Sequence, residues 1–150
     1  MKTTIPPYFC HQDTLYLEHT VGLEFETHIE ETNQTLYSSQ SCKQILEQTF
    51  IQTGTTLTGN TKALKKLFNL NQVPALPLHP HHDHYVFMTH SIRTTDCIFI
   101  FTAQLKTYTE CKDAITFHFK NGKTKTVEMS KRKIVRIMGL LHSYHLYFKP

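Results

Sequence analysis

Two runs of alternating apolar and polar residues flank the dipeptide Asn121–Gly122. Asn-Gly is the pair that most favours a two-residue type I′ turn, which reverses the chain between two antiparallel strands. The segment from Ala114 to Met129 is therefore predicted to be a β-hairpin. Because side chains alternate across a strand, Ile115, Phe117 and Phe119 are expected to face the core.

The polar face of this hairpin is basic. With a two-residue loop, Lys120 stands opposite Lys123 and His118 stands opposite Lys125, so that all four side chains share one face. Like charges placed directly opposite each other are destabilising. Two interpretations stay open: the face contacts an anionic partner, or it is an ordinary solvated lysine face.

The C-terminal helix has a second concentration of positive charge. Ser130 is a suitable N-cap, and Ile134, Ile137, Met138 and Leu141 form the predicted buried stripe. The first turn carries cations where the helix dipole favours acids, and its free N–H groups bind phosphate readily. The candidate phosphate ligands here are Lys131, Arg132, Lys133 and Arg136.

Alternation and capping residues predict the remaining elements. The predicted strands are Val21–Ile29 with Val21, Leu23, Phe25 and Ile29 on one side, its hairpin partner Gln34–Tyr37, an extended Val73–Leu78, Tyr85–Met88 and one long strand Cys97–Tyr108. A short helix is predicted over Ser41–Gln48, followed by a strand edge and loop over Gln52–Asn60. A second helix is expected to begin at Asn60 or Thr61, with Leu64, Leu67 and Phe68 inward and Lys62, Lys65 and Lys66 in solvent.

These elements predict an α+β fold, with a mostly antiparallel β-sheet and two or three helices that include the C-terminal one. The length of 150 residues fits a single domain, residues 1–150. No stretch approaches the roughly 20 apolar residues that span a bilayer. The first eleven residues lack the apolar core of a secretory signal, so a cytoplasmic protein with reduced cysteines is expected.

Charge is distributed unevenly along the chain. Residues 1–40 form an acidic β segment with one lysine against six acids, whereas residues 41–150 hold fifteen basic residues against six acidic ones. A region this basic attracts polyanions, which include DNA, RNA and anionic membrane surfaces. Arg93 lies in a polar loop from which it is able to reach into a groove. It is a candidate DNA-binding residue, together with Lys62, Lys65 and Lys66, the four residues of the basic hairpin face and the four cations of the C-terminal helix.

The histidines between Leu78 and Tyr85 are weak candidates for a metal site. Imidazoles suit zinc, copper or nickel, but the spacing of His79, His81, His82 and His84 matches no zinc motif. A polar surface loop is the favoured interpretation, and its protonation near pH 6 is expected to add positive charge. No cofactor is predicted. Motifs for nucleophilic catalysis and phosphate loops are absent from the sequence, so it is not interpreted as an enzyme.

Several short segments follow one another in a distinctive order from Ser41 onward. They are Ser41–Lys43, the basic Lys62–Lys66, Pro74–Leu78, Tyr85–Ser91 with Arg93, Cys97–Ile100, and Ile115–Phe117 leading to Asn121–Gly122. In order and spacing they resemble the ComK family of competence transcription factors. The chain resembles a short, divergent member. Pro74–Ala75 replaces the family's Pro-Pro, the glycine expected soon after Cys42 is missing, and the longer tail of fuller members is not expected after Pro150.

The resemblance implies an activator of DNA-uptake genes that binds paired A/T-rich promoter boxes through the minor groove as a homo-oligomer on the nucleoid. It also implies contact with RNA polymerase and, because His145–Lys149 is similar to the family's tail motif, with a proteolytic adaptor. No membrane partner is expected. Two alternatives stay open: a regulatory protein that modulates a full-length family member without binding DNA, and a metal-binding protein that uses the histidine loop.

Overall fold

The computed structural model describes residues 2–4, 6–22 and 24–149, which form ten strands and three α-helices. The strands are β1 (Lys2–Thr3), β2 (Thr14–His19), β3 (Thr27–Glu31), β4 (Thr35–Ser38), β5 (Ala75–His79), β6 (His84–Met88), β7 (Ile98–Phe101), β8 (Leu105–Cys111), β9 (Ala114–Phe119) and β10 (Thr124–Val127). The helices are α1 (Cys42–Gln52), α2 (Leu57–Phe68) and α3 (Lys131–Phe148), with a short 3-10 helix at Pro80–His82. The predicted α+β class is confirmed, including the C-terminal helix.

The strands form two sheets. The larger sheet has the order β1-β4-β3-β2-β7-β6-β5, in which β1 is parallel to β4 and every other pair is antiparallel. The smaller sheet has the order β10-β9-β8 and is antiparallel throughout. Within the described residues, no helix is both long and apolar enough to cross a membrane.

Aromatic side chains join the two sheets. The ring of Phe117 in β9 lies 5.5 Å from that of Phe87 in β6, and Phe119 lies 6.2 Å from Tyr16 in β2. Helix α3 contacts both sheets through β5 and β9, and the hydroxyl of its buried Tyr144 donates a 2.8 Å hydrogen bond to the carbonyl of Ala75. Helix α3 is thereby held against both sheets.

The prediction for the acidic N-terminal segment is partly wrong. Strand β3 begins only at Thr27, and Val21, which the alternation placed in the core, is 98% exposed. Leu23 lies outside the described residues. The predicted hairpin partner does pair with β3, as β4, while the buried strand β2 was not predicted.

The helices begin and end differently from the prediction. Helix α1 has the expected start, because Ser41 and Gln44 form a reciprocal capping box, but it continues to Gln52. Helix α2 begins at Leu57, capped by Thr56, so the predicted strand edge and loop over Gln52–Asn60 is reduced to a loop over residues 53–56. Leu67 is exposed rather than inward.

The predicted long strand Cys97–Tyr108 is two strands in different sheets. It breaks at Thr102–Gln104, which separates β7 of the larger sheet from β8 of the smaller one. The expectation of one long strand is therefore wrong, although its apolar first part does occupy the interior of the larger sheet.

The hairpin exists, but in a register different from the predicted one. Its loop has three residues, Lys120–Asn121–Gly122, closed by a 2.9 Å hydrogen bond from the Phe119 N–H to the Lys123 carbonyl. Gly122 adopts a left-handed conformation with φ of 93°, which suits a three-residue hairpin loop. Thr124 is therefore opposite His118, and Lys125 is opposite Phe117.

Candidate nucleic-acid interface

A cleft of about 430 Å³ opens beside the N-terminus of α3. Its walls are the second half of α2, the segment that follows α2, the loop between β6 and β7, and the first two turns of α3. Four of the candidate DNA-binding cations line it, and they come from three separate parts of the chain: Lys65, Arg93, Lys133 and Arg136.

The cap of α3 positions two of these cations. The hydroxyl oxygen of Ser130 accepts a hydrogen bond of 3.1 Å from the N–H of Lys133 and so fixes the start of the helix. Lys133 and Arg136 are three residues apart and therefore lie on the same face of α3. Both point to the cleft rather than to the core stripe of Ile134 and Ile137.

Local turns hold the opposite wall. The Ser91 carbonyl accepts a 3.0 Å hydrogen bond from the N–H of Thr94, and the Ser91 hydroxyl accepts one of 3.3 Å from the N–H of Arg93. At the end of α2, Asn69 adopts a left-handed conformation, and the N–H of Leu70 donates to the carbonyl of Lys65. These bonds direct Lys65 and Arg93 to the same cleft.

Within the part of the chain that the structure describes, the cleft is lined by basic side chains and by no acidic ones. Burial disfavours the charged ammonium of Lys133 and the guanidinium of Arg136 repels it, so the pKa of Lys133 lies below its ordinary value. Two further hollows adjoin the cleft, and Arg132 lines one of them. Among the described residues, no Asp or Glu side chain lines any of the three. The surface is therefore cationic without internal compensation.

Three other predicted cations lie outside the cleft. Lys62 and Lys66 are exposed on α2, one helical turn apart, and do not line it. The Nζ of Lys131 lies 3.4 Å from a carboxylate oxygen of Glu110 in β8, in an exposed ion pair. These residues enlarge the basic region around the cleft.

The predicted basic face of the hairpin does not form. The register directs Lys123 and Lys125 to the inner side of the small sheet, where their Nζ atoms lie 2.6 Å from Glu30 and 2.7 Å from Glu18. These two lysines are thus neutralised by strands β3 and β2 of the acidic segment.

The other two members of that predicted face lie on different parts of the surface. His118 is on the outer side of the sheet, with Nε2 2.9 Å from the Thr109 hydroxyl. Lys120 is exposed in the loop and donates to the Ala103 carbonyl. The four residues of the predicted basic face therefore do not share one face, because the loop has one residue more than predicted.

A family model of the ComK protein matches residues 6–143, which is most of the chain. The protein belongs to the ComK family. The resemblance seen from Ser41 onward is confirmed, and the match extends it into the acidic N-terminal segment. ComK-family proteins are competence transcription factors, which points to a role in transcription regulation. No curated protein and no solved structure matches the chain.

The histidines of this ComK-family protein are divided between the interior and the surface. His84 is fully buried in β6, and burial lowers its pKa to about 4, with further repulsion from His79 and His11. The prediction that these histidines form a surface loop that becomes protonated near pH 6 is therefore wrong for His84. His79, His81 and His82 line a separate open hollow with His11. In the described ranges, no three His, Cys, Asp or Glu side chains are arranged to hold a metal ion.

Sequence reasoning missed the uncharged residues of the cleft. Asn71 and Gln72 line it beside the four cations. Nothing in the sequence distinguished these amides from ordinary loop residues, since their position depends on α3 packing beside a segment about sixty residues earlier in the chain. Gln72 and Arg136 border the cleft and both adjoining hollows.

Proposed function

We propose that this ComK-family protein is a DNA-binding activator of competence genes and that the cleft at the N-terminus of α3 contacts the DNA backbone. The observation that carries the proposal is the set of four unpaired cations around the cleft. Among the described residues, none of Lys65, Arg93, Lys133 and Arg136 takes part in an ion pair. A duplex would supply the missing negative charge and release its counterions.

The start of α3 adds backbone donors to these side chains. The first N–H groups of an α-helix have no partners within the helix, and the helix dipole places partial positive charge there. The first turn of α3 contains no acidic residue and begins with Lys131, Arg132 and Lys133. A phosphate group bound at this point would meet both the cations and the remaining free N–H groups.

A/T-rich duplexes are the proposed target. Their minor groove is narrow and concentrates negative potential, which favours inserted arginine or lysine side chains. Arg93, on an exposed loop at one wall of the cleft, is the proposed side chain for this insertion. Lys62, Lys66, Lys131 and Arg132 are proposed to extend the positive field around the contact rather than to form its centre. His118 and Lys120, which lie on other parts of the surface, are not assigned to the contact.

A second copy of the chain is the proposed protein partner. Strand β8 is an edge of the small sheet, and its residues from Lys106 to Cys111 are exposed except for the half-buried Tyr108. Antiparallel pairing of two β8 strands about Tyr108 would place Lys106 of each copy opposite Glu110 of the other. Opposite charges facing each other across a strand pair are stabilising.

Contacts with other proteins complete the proposal. The protein is proposed to be cytoplasmic and associated with the nucleoid, where the DNA-bound activator would recruit RNA polymerase. A proteolytic adaptor would meet the end of α3, where Leu146 and Tyr147 are 60% and 54% exposed. Near them, Asp83 accepts hydrogen bonds from Lys149 at 2.8 Å and pairs with His145 at 2.7 Å.

A titration with three duplexes tests the proposed function. Fluorescence anisotropy would measure affinity for an A/T-rich duplex, for a G/C-rich duplex, and for the latter with inosine in place of guanine. Inosine lacks the minor-groove amino group of guanine but keeps its major-groove acceptors. The expected order is that the inosine duplex binds nearly as tightly as the A/T duplex and the guanine duplex binds more weakly.

Two results would contradict the proposal. If the inosine duplex binds like the guanine duplex, the protein does not use the minor groove. If no duplex binds at physiological salt, while a full-length ComK-family protein is captured, the protein acts as a regulator of that partner without contacting DNA.

A further inference from the structure

We infer that the side-chain amide of Gln72 reads base edges in bound DNA and, with Asn71 beside it, determines the sequence preference of this protein. The inference rests on the proposed DNA-binding function. It assigns to the uncharged part of the cleft a role that the surrounding cations are unable to perform, because phosphate contacts position a protein on DNA but carry no sequence information directly.

Gln72 lies at the junction where the main cleft and its two adjoining hollows meet. It lines the main cleft together with Lys65 and Arg93, and it lines a neighbouring hollow together with Arg132. Lys133 is shared by those two surfaces, and Arg136 borders all three hollows, as Gln72 does. A polyanion held by cations on both sides of this junction would lie over the Gln72 amide.

The backbone presents this amide on an anchored segment. On one side, the N–H of Leu70 donates a 3.0 Å hydrogen bond to the carbonyl of Lys65. On the other, the N–H of Met88 in β6 donates a 2.8 Å hydrogen bond to the carbonyl of Pro74. The exposed residues between these anchors, Asn71 and Gln72, are therefore held at the surface with limited backbone freedom.

The chemistry of the amide fits base recognition. An amide carries two N–H donors and a carbonyl acceptor, and Asn and Gln side chains read the A·T and G·C patterns in the minor groove. Among the side-chain hydrogen bonds of the described residues, none involves the Asn71 or Gln72 amide. Both side chains are thus available to a bound duplex.

The test compares Gln72→Met with Gln52→Met. Methionine has nearly the shape of glutamine but lacks the amide, so the change removes hydrogen bonds and leaves the cations in place. Gln52 is an exposed glutamine at the end of α1, outside the cleft, and serves as the matched control. Affinities for an A/T-rich and a G/C-rich duplex are measured at one salt concentration, and the ratio of the two is the readout.

The expected result is a loss of discrimination without a loss of general binding. Gln72→Met should lower the A/T-to-G/C affinity ratio roughly tenfold, the scale of one good base contact, by weakening A/T binding alone. Gln52→Met should retain the wild-type ratio. Selection from a random duplex pool would then show flatter sequence preferences for Gln72→Met.

Three outcomes would overturn the inference or its basis, and they are distinguishable. If Gln72→Met keeps the wild-type affinity for both duplexes, the amide does not read bases. If it weakens both duplexes equally while its thermal unfolding is unchanged, Gln72 is a backbone contact. If wild type itself binds neither duplex, the proposed DNA-binding function fails, and the role of Gln72 with it.

Discussion

The Nζ of Lys125 lies 2.7 Å from Oε2 of Glu18. This ion pair connects β10 of the smaller sheet to β2 of the larger sheet. The two side chains are each only 22% exposed, and the same ammonium lies 5.1 Å above the centre of the Tyr16 ring. Lys123 makes the equivalent contact with Glu30. These pairs connect the two sheets and neutralise both lysines.

Replacing Lys125 with alanine should therefore destabilise the fold and leave DNA binding nearly unchanged. Loss of the partly buried ion pair and the cation–π contact is expected to lower the free energy of unfolding by about 1–2 kcal/mol. Urea denaturation measures this, with Lys62→Ala as the exposed control that should change it by less than about 0.5 kcal/mol. Unaltered stability together with weaker DNA binding would show that Lys125 contacts DNA instead.

His28 makes the same sheet contact dependent on pH. Its Nδ1 lies 2.9 Å from Glu18 and its Nε2 lies 2.9 Å from Glu30, and these carboxylates raise the pKa of His28 above 6.5. Burial alone would raise the pKa of Glu18 and Glu30, but hydrogen bonds from His28 and the neighbouring lysines outweigh it and lower both.

The direction of the pH effect follows from these shifts. Because the folded pKa of His28 is raised, its contribution to stability is complete below pH 6.5 and is lost as the pH rises through the folded pKa. The contribution of the two glutamates is present above pH 4.5 and is lost on acidification. His28→Asn should therefore lose more stability relative to wild type at pH 6 than at pH 9, as measured by urea unfolding; an equal loss at both would contradict this.

Charge reversal tests the proposed pairing of two β8 strands. Lys106→Glu and Glu110→Lys should each weaken self-association about tenfold, because each puts like charges opposite one another at both ends of the pair. The double variant, or an equimolar mixture of the two single variants, should restore it. Sedimentation velocity provides the measurement.

Glu110 also pairs with Lys131 in the same chain, so Lys131→Ala is the necessary control. If Lys131→Ala alone weakens self-association as much as Glu110→Lys, the intrachain pair accounts for the effect. If none of these substitutions changes self-association, the interface lies elsewhere on the protein.

The hairpin illustrates how far the sequence determines this fold. Its alternation and the Asn121–Gly122 pair predict two strands correctly. The same pair, however, fits both a two-residue loop and a three-residue loop, so the sequence does not decide the loop length. The additional loop residue Lys120 shifts the register by one position, which moves a side chain to the opposite face of the sheet. Lys123 and Lys125 were therefore predicted on the wrong face.

The first turn of α2 and the grouping of the cleft residues escaped prediction for different reasons. The start of α2 contains Thr58, Gly59 and Thr61, which have low helix propensity, and the Thr56 cap and packing of buried Leu64 outweigh that preference. The cations of the cleft were each identified as candidates. Their proximity to one another and to Gln72 depends on tertiary packing that no local pattern encodes.

The most direct test of the account is the salt dependence of DNA affinity for two matched triple variants. One removes the cleft cations Arg93, Lys133 and Arg136 by substitution with alanine; the other removes Lys120, Lys123 and Lys125 of the hairpin. The slope of log affinity against log salt reports the number of phosphates neutralised, at about 0.9 per contact. The cleft variant should lose two to three contacts (roughly 2–3 in slope) and at least tenfold in affinity, whereas the hairpin variant, once shown to be folded, should keep the wild-type slope. A cleft variant with the wild-type slope, or a folded hairpin variant that loses it, would contradict the account.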